Sequence, residues 1–417
     1  MRTTAFEGLP RLAATWSAIA LIAASAAISA CGGGTEPIKA KLDEKTEQHT
    51  IAGFPALATK NTTRVAGENA IADAAGVARA VYPGQAPAQR PAAVALVDKD
   101  NWQAGVAASV LMAPPVGAPV LLTDGDDVPQ ATSSAIDSLG PTGFRKEAVQ
   151  AFAIGGVDVP SNLKSLPVRQ GDQYTVATQI DRLRTSIAGK PASSVIVASG
   201  EQAAFAMPAA AYAARSGVPV LFATRDTLPA PTRAAIRRHR KPAIYVLGPE
   251  SAISAKVFRQ LRRLGPAVRV GGASAVANAV AFARYSDGSF GWGVNDPGHG
   301  LTFANTSRPL DAAASAALAA KGAFAPLLLI DSATTMPKVL EDYLLDIQPG
   351  YRFDPVRGVY NHAWLLGDES AISLGLQGRI DQLAEIVKIR EQEPPPASAP
   401  ATTTPGPTKT TPTTKSP

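Results

Sequence analysis

Short, uninterrupted apolar runs recur along this chain and alternate with longer stretches in which alanine and aliphatic residues return every three or four positions. The runs cover residues 93–97, 119–123 and 151–154, then 194–198, 219–223 and 244–247, then 326–330 and 363–366. Four to six apolar residues in a row, bounded by proline and glycine, read as strands buried on both faces. The stretches between them, such as 71–81 and 176–187, carry the 3.6-residue period of helices that rest one side on a core. Strands of this kind alternating with helices predict parallel sheets joined by right-handed crossovers, with helices on both faces. The fold class expected is α/β.

Four features return in fixed order. An arginine followed shortly by glycine opens each copy, at Arg64, Arg169 and Arg269. It reads as a turn leading into an alanine-rich helix. A short apolar strand follows, then a strand led by proline at Pro119, Pro219 and Pro326, then a strand ending at Gly155, Gly248 and Gly367. Pro119 to Pro219 and Arg169 to Arg269 are both separated by 100 residues, a constancy expected of tandem repeats. Glycine at the strand end lets the chain turn sharply, and Ser161, Ser254 and Ser373 stand where each could cap a following helix. The organisation predicted is three tandem small three-layer α/β modules with mainly parallel sheets in a pseudo-threefold arrangement, spanning residues 62–166, 167–265 and 266–388.

The two ends differ from this pattern. Arg2 and Arg11 precede residues 12–30, an apolar run without charge, which reads as a secretory signal peptide over 1–30. It closes on Ile28, Ser29, Ala30 and Cys31, which resembles the lipobox of bacterial lipoproteins. That resemblance implies cleavage before Cys31 and lipidation of its sulfur; the other reading is a plain transmembrane helix beside an incidental cysteine. Residues 31–61 run from Cys31 through three glycines and continue polar, as a flexible tether. Residues 389–417 are a Pro/Thr-rich tail, expected to be disordered, either a wall-threading or glycosylated stalk or an unselected end.

Composition narrows the chemistry. Among 417 residues there is one cysteine, so no internal disulfide forms and no Cys-based zinc cluster is expected. No nucleophile elbow, His-Glu-X-X-His helix or Walker loop occurs, and His49, His239, His299 and His362 are scattered. No enzyme activity, metal or cofactor is expected. Asp124, Asp126 and Asp127 cluster after a strand end, but Arg225 and Asp226, then Asp331 and Ser332, hold the matching places in the other copies; a solvated turn fits better than a metal site. The formal charge is +6, which favours an anionic partner. Export and the lack of aromatic–basic interleaving argue against nucleic acid.

The repeats resemble the cell wall-binding repeat type 2 over residues 62–388. The resemblance implies three copies packed as a pseudo-threefold unit that attaches surface proteins non-covalently to an anionic cell wall polymer. Arg64, Arg169 and Arg269 match the family's leading arginine. The chain departs from the pattern where a second arginine is frequent, with Ala70, Gln173 and Ala275, and where an Asp-Ala-Leu segment is usual, with Gly105 and Phe205. Only Asp311 and Ala312 come close.

Candidate polymer-binding residues are Arg64, Arg169 and Arg269, because a guanidinium fork grips phosphate or carboxylate oxygens in pairs. The other reading is that these arginines hold the copies together through carboxylates or carbonyls. Arg259, Arg262 and Arg263, also candidates for polymer binding or for a membrane surface, share one helical face opposite Phe258, Leu261 and Leu264. Arg233, Arg237, Arg238, Arg240 and Lys241 lie just upstream; the other reading of this basic run is a solvated face. A glycine-rich insertion over 286–305, with Trp292 and His299, reads as a functional loop or an elaborated turn. The function expected is that of a lipoprotein on the outer face of the cell membrane, anchored through Cys31, that binds wall glycopolymer without catalysis. The rival expectation is the solute-binding lipoprotein of a transporter.

Overall fold

A computed structural model describes residues 50–51, 54–84 and 86–389. Cys31, the apolar run before it and the tail from 390 onward lie outside the described residues. No helix among those described is long and apolar enough to cross a membrane.

The chain passes three times through the same course. β1 (Thr62–Val65) leads to α1 (Ala70–Val81), followed by β2 (Val94–Asp98), α2 (Trp102–Ala108), β3 (Val120–Thr123), α3 (Gln130–Leu139) and β4 (Ala151–Ile154). The second course runs β5 (Ser165–Val168), α4 (Gln173–Ala188), β6 (Ser194–Ser199), α5 (Ala203–Ala206), α6 (Pro208–Ser216), β7 (Val220–Ala223), α7 (Ala230–Arg238), β8 (Ala243–Leu247) and α8 (Ala255–Arg262). The third runs β9 (Ala267–Val270), α9 (Ala275–Arg284), β10 (Gly300–Asn305), α10 (Asp311–Ala320), β11 (Leu327–Ile330), α11 (Lys338–Asp346), β12 (His362–Leu366) and α12 (Leu374–Ala384). The α/β class and its mostly parallel sheets are as the pattern predicts.

The arginine segments depart from expectation, because they are strands and not turns. Each completes the sheet of the repeat before it. The sheet orders are β3-β2-β4-β5, β7-β6-β8-β9 and β11-β10-β12-β1, all with parallel neighbours. The first strand of the repeats therefore pairs with the last, Arg64 standing opposite Leu365, and the three modules close into a ring. Edge strands have one flank unpaired, so they tolerate polar and exposed side chains; Ser165, Leu166 and Pro167 of β5 are exposed, and only an edge strand accepts that proline's missing N–H. Such strands carry no continuous apolar run by which to recognise them. Beyond β1 the third sheet gains an antiparallel strand, Phe54–Ala58.

At the centre of the ring the alanine-rich helices α2, α6 and α10 pack on one another. Small side chains let their backbones approach closely: a Cβ on Gly105 would lie 3.0 Å from Leu310 Cδ2 and 3.1 Å from Ala313 Cβ. The glycine that replaces the family's aspartate at this place thus serves helix packing. Residues of all three modules share one apolar cluster, from Val65 through Ala209 to Ala317.

Two local features shape the surface. In the second and third modules α8 and α12 stand between the fourth strand and the chain's next turn, packing on β9 and β1. In the first module residues 155–164 join β4 to β5 without a helix, so Ser161 caps nothing. Ser373 does cap α12, accepting from Leu376 N at 3.2 Å, while Ser254 begins α8 without a side-chain bond. The insertion after α9 folds inward. Phe290 is 3% exposed, stacks on Tyr245 at 3.6 Å between centroids and tilts against Tyr212 at 4.4 Å. Tyr212 Oη accepts from Gly291 N at 2.9 Å. This segment is a clasp between the second and third modules.

Candidate functional site

The three leading arginines meet different surroundings. Arg64 is 1% exposed: its Nε donates to Gln377 Oε1 of α12 at 2.8 Å, and its Nη1 donates to the carbonyls of Gly367 and Asp368 at 3.0 and 2.8 Å. Burial lowers its pKa, without removing the charge of so strong a base. Arg269 does the same work one module on, donating to Gly248 O and Ile253 O, both at 2.7 Å, with Phe258 of α8 5.1 Å beneath its guanidinium. Both arginines therefore brace the turn after a fourth strand. Arg169 is exposed and, among the described residues, bonds to nothing. The cause is the missing helix: where α8 and α12 supply a folded turn and a packing surface, residues 155–164 supply neither.

The same omission opens a cleft of about 590 Å³ between β5, α4 and α7. Arg169 and Arg182 lie along it, with Thr175, Thr178 and Gln179 from α4 and Pro231 and Ala234 from α7. Arg182 is exposed and, like Arg169, takes part in no ion pair among the described residues. Thr178 is buried, yet its Oγ1 has no partner among them. Two free guanidinium forks beside a carboxamide are donors of the kind that bond anionic and hydroxyl oxygens. Leu166 and Leu183 continue it into a second hollow of about 520 Å³ that bears Arg145 and Lys164. Sequence reasoning missed Arg182 and the cleft. The signal was spacing: Gly155 and Arg169 are 14 residues apart, whereas Gly248 and Arg269 are 21 apart.

Arg259, Arg262 and Arg263 stand exposed on α8, while Val257 and Leu261 are buried beneath. The three have no carboxylate partner among the described residues. Helix α7 is linked to α8 through Arg233 Nη2 and Gln260 Oε1 at 3.3 Å. Other members of the basic run are engaged. His239 Nδ1 accepts from Ala192 N at 3.0 Å, which leaves Nε2 to donate to Asp181 Oδ1 at 2.8 Å. Arg238 Nη2 reaches Asp181 Oδ2 at 3.1 Å. The aspartates after β3 form a tight turn in which Asp124 and Asp127 exchange backbone bonds, and Asp124 pairs with Lys99 at 3.2 Å. His299 pairs with Asp296 at 3.1 Å on the surface.

A repeated position the sequence did not disclose lies nine residues after each arginine: Asp73, Thr178 and Asn278, all buried. It sits on the helix that faces the neighbouring module. Asn278 Nδ2 donates to Phe205 O at 3.2 Å. Asp73 accepts from Gly67 N at 2.8 Å and pairs with Arg308, whose Nε lies 2.9 Å from Asp311 Oδ2. Asp368 stands 3.9 Å from Arg308 Nη1. Two buried carboxylates thus share one guanidinium at the joint between the first and third modules. Burial, then mutual repulsion, raises the Asp73 pKa far above the usual carboxylate range, and burial raises that of Asp311.

Residues 171–258 match the family model described as Cell wall binding domain 2. The resemblance read from the repeats is borne out over this span, which includes α4 and α7 of the cleft, begins just after Arg169 and ends within α8 before Arg259. Among solved structures, the chain is similar to Cwp8 from Clostridium difficile, with a TM-score of 0.61, 18% identity, and coverage of 78% of this chain and 52% of that one. It is also similar to Cwp6 from the same organism, with a TM-score of 0.62, 18% identity, and coverage of 79% and 50%. The likeness is one of fold, and this chain spans about half the length of those structures. No curated protein matches the sequence.

Proposed function

We propose that this is a cell-surface protein that holds an anionic wall glycopolymer non-covalently, in the cleft along β5 and across the exposed basic face of α8. The single observation that carries the reading is the pair Arg169 and Arg182. They are unpaired and exposed along one cleft, Arg182 within and Arg169 two residues before the span that matches a wall-binding family. Arg64 and Arg269 hold the scaffold and Arg169 meets the ligand, with Arg259, Arg262 and Arg263 adding charge. On this reading Cys31 carries the lipid that keeps the protein on the outer face of the membrane, and the chain performs no catalysis.

Sedimentation with purified walls tests it. The wild-type chain should pellet with intact walls, and Arg169→Gln with Arg182→Gln should remain in solution while unfolding at the wild-type temperature. Binding should weaken as salt rises, because screening shortens from about 10 Å at 0.1 M to about 3 Å at 1 M. Equal binding to walls stripped of their anionic polymers would overturn the proposal.

A further inference from the structure

The third module displays an apolar loop that the folded ring leaves uncovered. Between β11 and β12 the chain runs out through residues 350–360, where Phe353 is 91% and Val356 81% exposed, with Val359 and Tyr360 also open to solvent. The loop is nonetheless held in place. Gly350–Tyr351 pairs in parallel with Val387–Lys388, Asp354 accepts from Val356 N at 3.0 Å, and Tyr360 Oη donates to Pro355 O at 2.9 Å. Gly358 fits against Ile386, whose Cδ1 would lie 2.1 Å from an added Cβ.

A loop so braced presents its apolar side chains to solvent in a fixed geometry, and a cluster of that kind on a soluble surface marks a contact site. Its charge indicates which kind. Arg352 and Arg357 flank Phe353 and Val356, and Lys388 is exposed on the paired strand. The one acid within the loop, Asp354, is occupied by the turn and lies 4.0 Å from Arg357 Nε. An aromatic ring and aliphatic groups between cationic side chains suit the interface of an anionic bilayer, where the rings enter the headgroup region and the guanidinium groups stay with lipid phosphates.

We infer that residues 352–360 dock this protein on an anionic lipid surface, seating the third module against the membrane independently of any lipid on Cys31 and of the polymer cleft. The test uses the full chain carrying Cys31→Ser and Phe353→Cys, with an environment-sensitive fluorophore on the new thiol. A matching chain labelled at Lys190→Cys, an exposed residue of the second module, is the control. Vesicles containing phosphatidylglycerol should shift the emission of the label at 353 to the blue and raise it several-fold, leaving the label at 190 unchanged. Arg352→Gln with Arg357→Gln should abolish the change, and neutral phosphatidylcholine vesicles should give little. No response at 353, or an equal response at 190, overturns the inference. So does a response produced by raising protein concentration alone, which would mean self-association, or by wall fragments without lipid.

Discussion

At the scale of single residues, one amino acid type in one repeated place serves two purposes, and what separates them is the presence of a turn to bond. Arg64 gives three hydrogen bonds, to Gln377 Oε1, to the Gly367 carbonyl and to the Asp368 carbonyl, the last of which also accepts from Ala371 N and Ile372 N. Arg64→Ala removes a buried charge and leaves the Gly367 carbonyl and Gln377 Oε1 without their donor, a loss of about 2–4 kcal/mol, to be read as a lower denaturant midpoint. Arg169→Ala should change stability by less than about 0.5 kcal/mol, as surface substitutions do, and should act on wall binding alone. The recurrence of the arginines was legible from the chain, because spacing in sequence is kept in repeats. Their roles were not, since each depends on carbonyls presented by the loop after another strand, far away in sequence. The buried polar position nine residues on escaped for a similar reason: Asp73, Thr178 and Asn278 differ in chemistry and share only a place.

Among the elements, the continuous apolar strands were read within a residue or two, because burial on both faces leaves no alternative composition. The exception is β10 (Gly300–Asn305), a buried central strand that falls inside the segment read as an insertion over 286–305. The strands β1, β5 and β9 were read as turns, since none is a continuous apolar run: β5 and β9 are half-exposed edge strands, and β1, though buried and paired on both sides, reads Thr-Thr-Arg-Val. The insertion after α9 could not be assigned from its glycines; what defines it is Phe290 meeting Tyr212 and Tyr245 of another module. Its role as a clasp has a clear test. Phe290→Ala empties a packed aromatic site and should cost about 3–5 kcal/mol, seen in chemical denaturation, because ring-to-ring contacts add to burial. His299→Ala touches an exposed pair and should change stability by about 0.5 kcal/mol or less. A large loss from the histidine and none from the phenylalanine would show that the loop does not hold the modules together.

For the whole molecule, the decisive fact is that the ring closes without a covalent bond, through the pairing of β1 with β12 and the buried contacts beside it. Asp73 and Asp311 meet there over Arg308, with Asp368 at the rim and Arg64 and Glu369 nearby. One guanidinium cannot balance two buried carboxylates, so the pair holds a proton well above the usual carboxylate range. A folded-state pKa raised above the unfolded one favours folding fully below the unfolded value, and that contribution is lost as pH rises through the folded value. The ring should therefore be tighter in mildly acidic than in mildly alkaline solution. Asp73→Asn keeps an oxygen for Gly67 N and removes the titration. Denaturant midpoints at about pH 5 and about pH 8 should fall for the wild type and stay closer together for Asp73→Asn. Equal pH dependence in both chains would place the titrating groups elsewhere, whereas a flattened profile would tie the stability of all three modules to the one joint that joins the first repeat to the last.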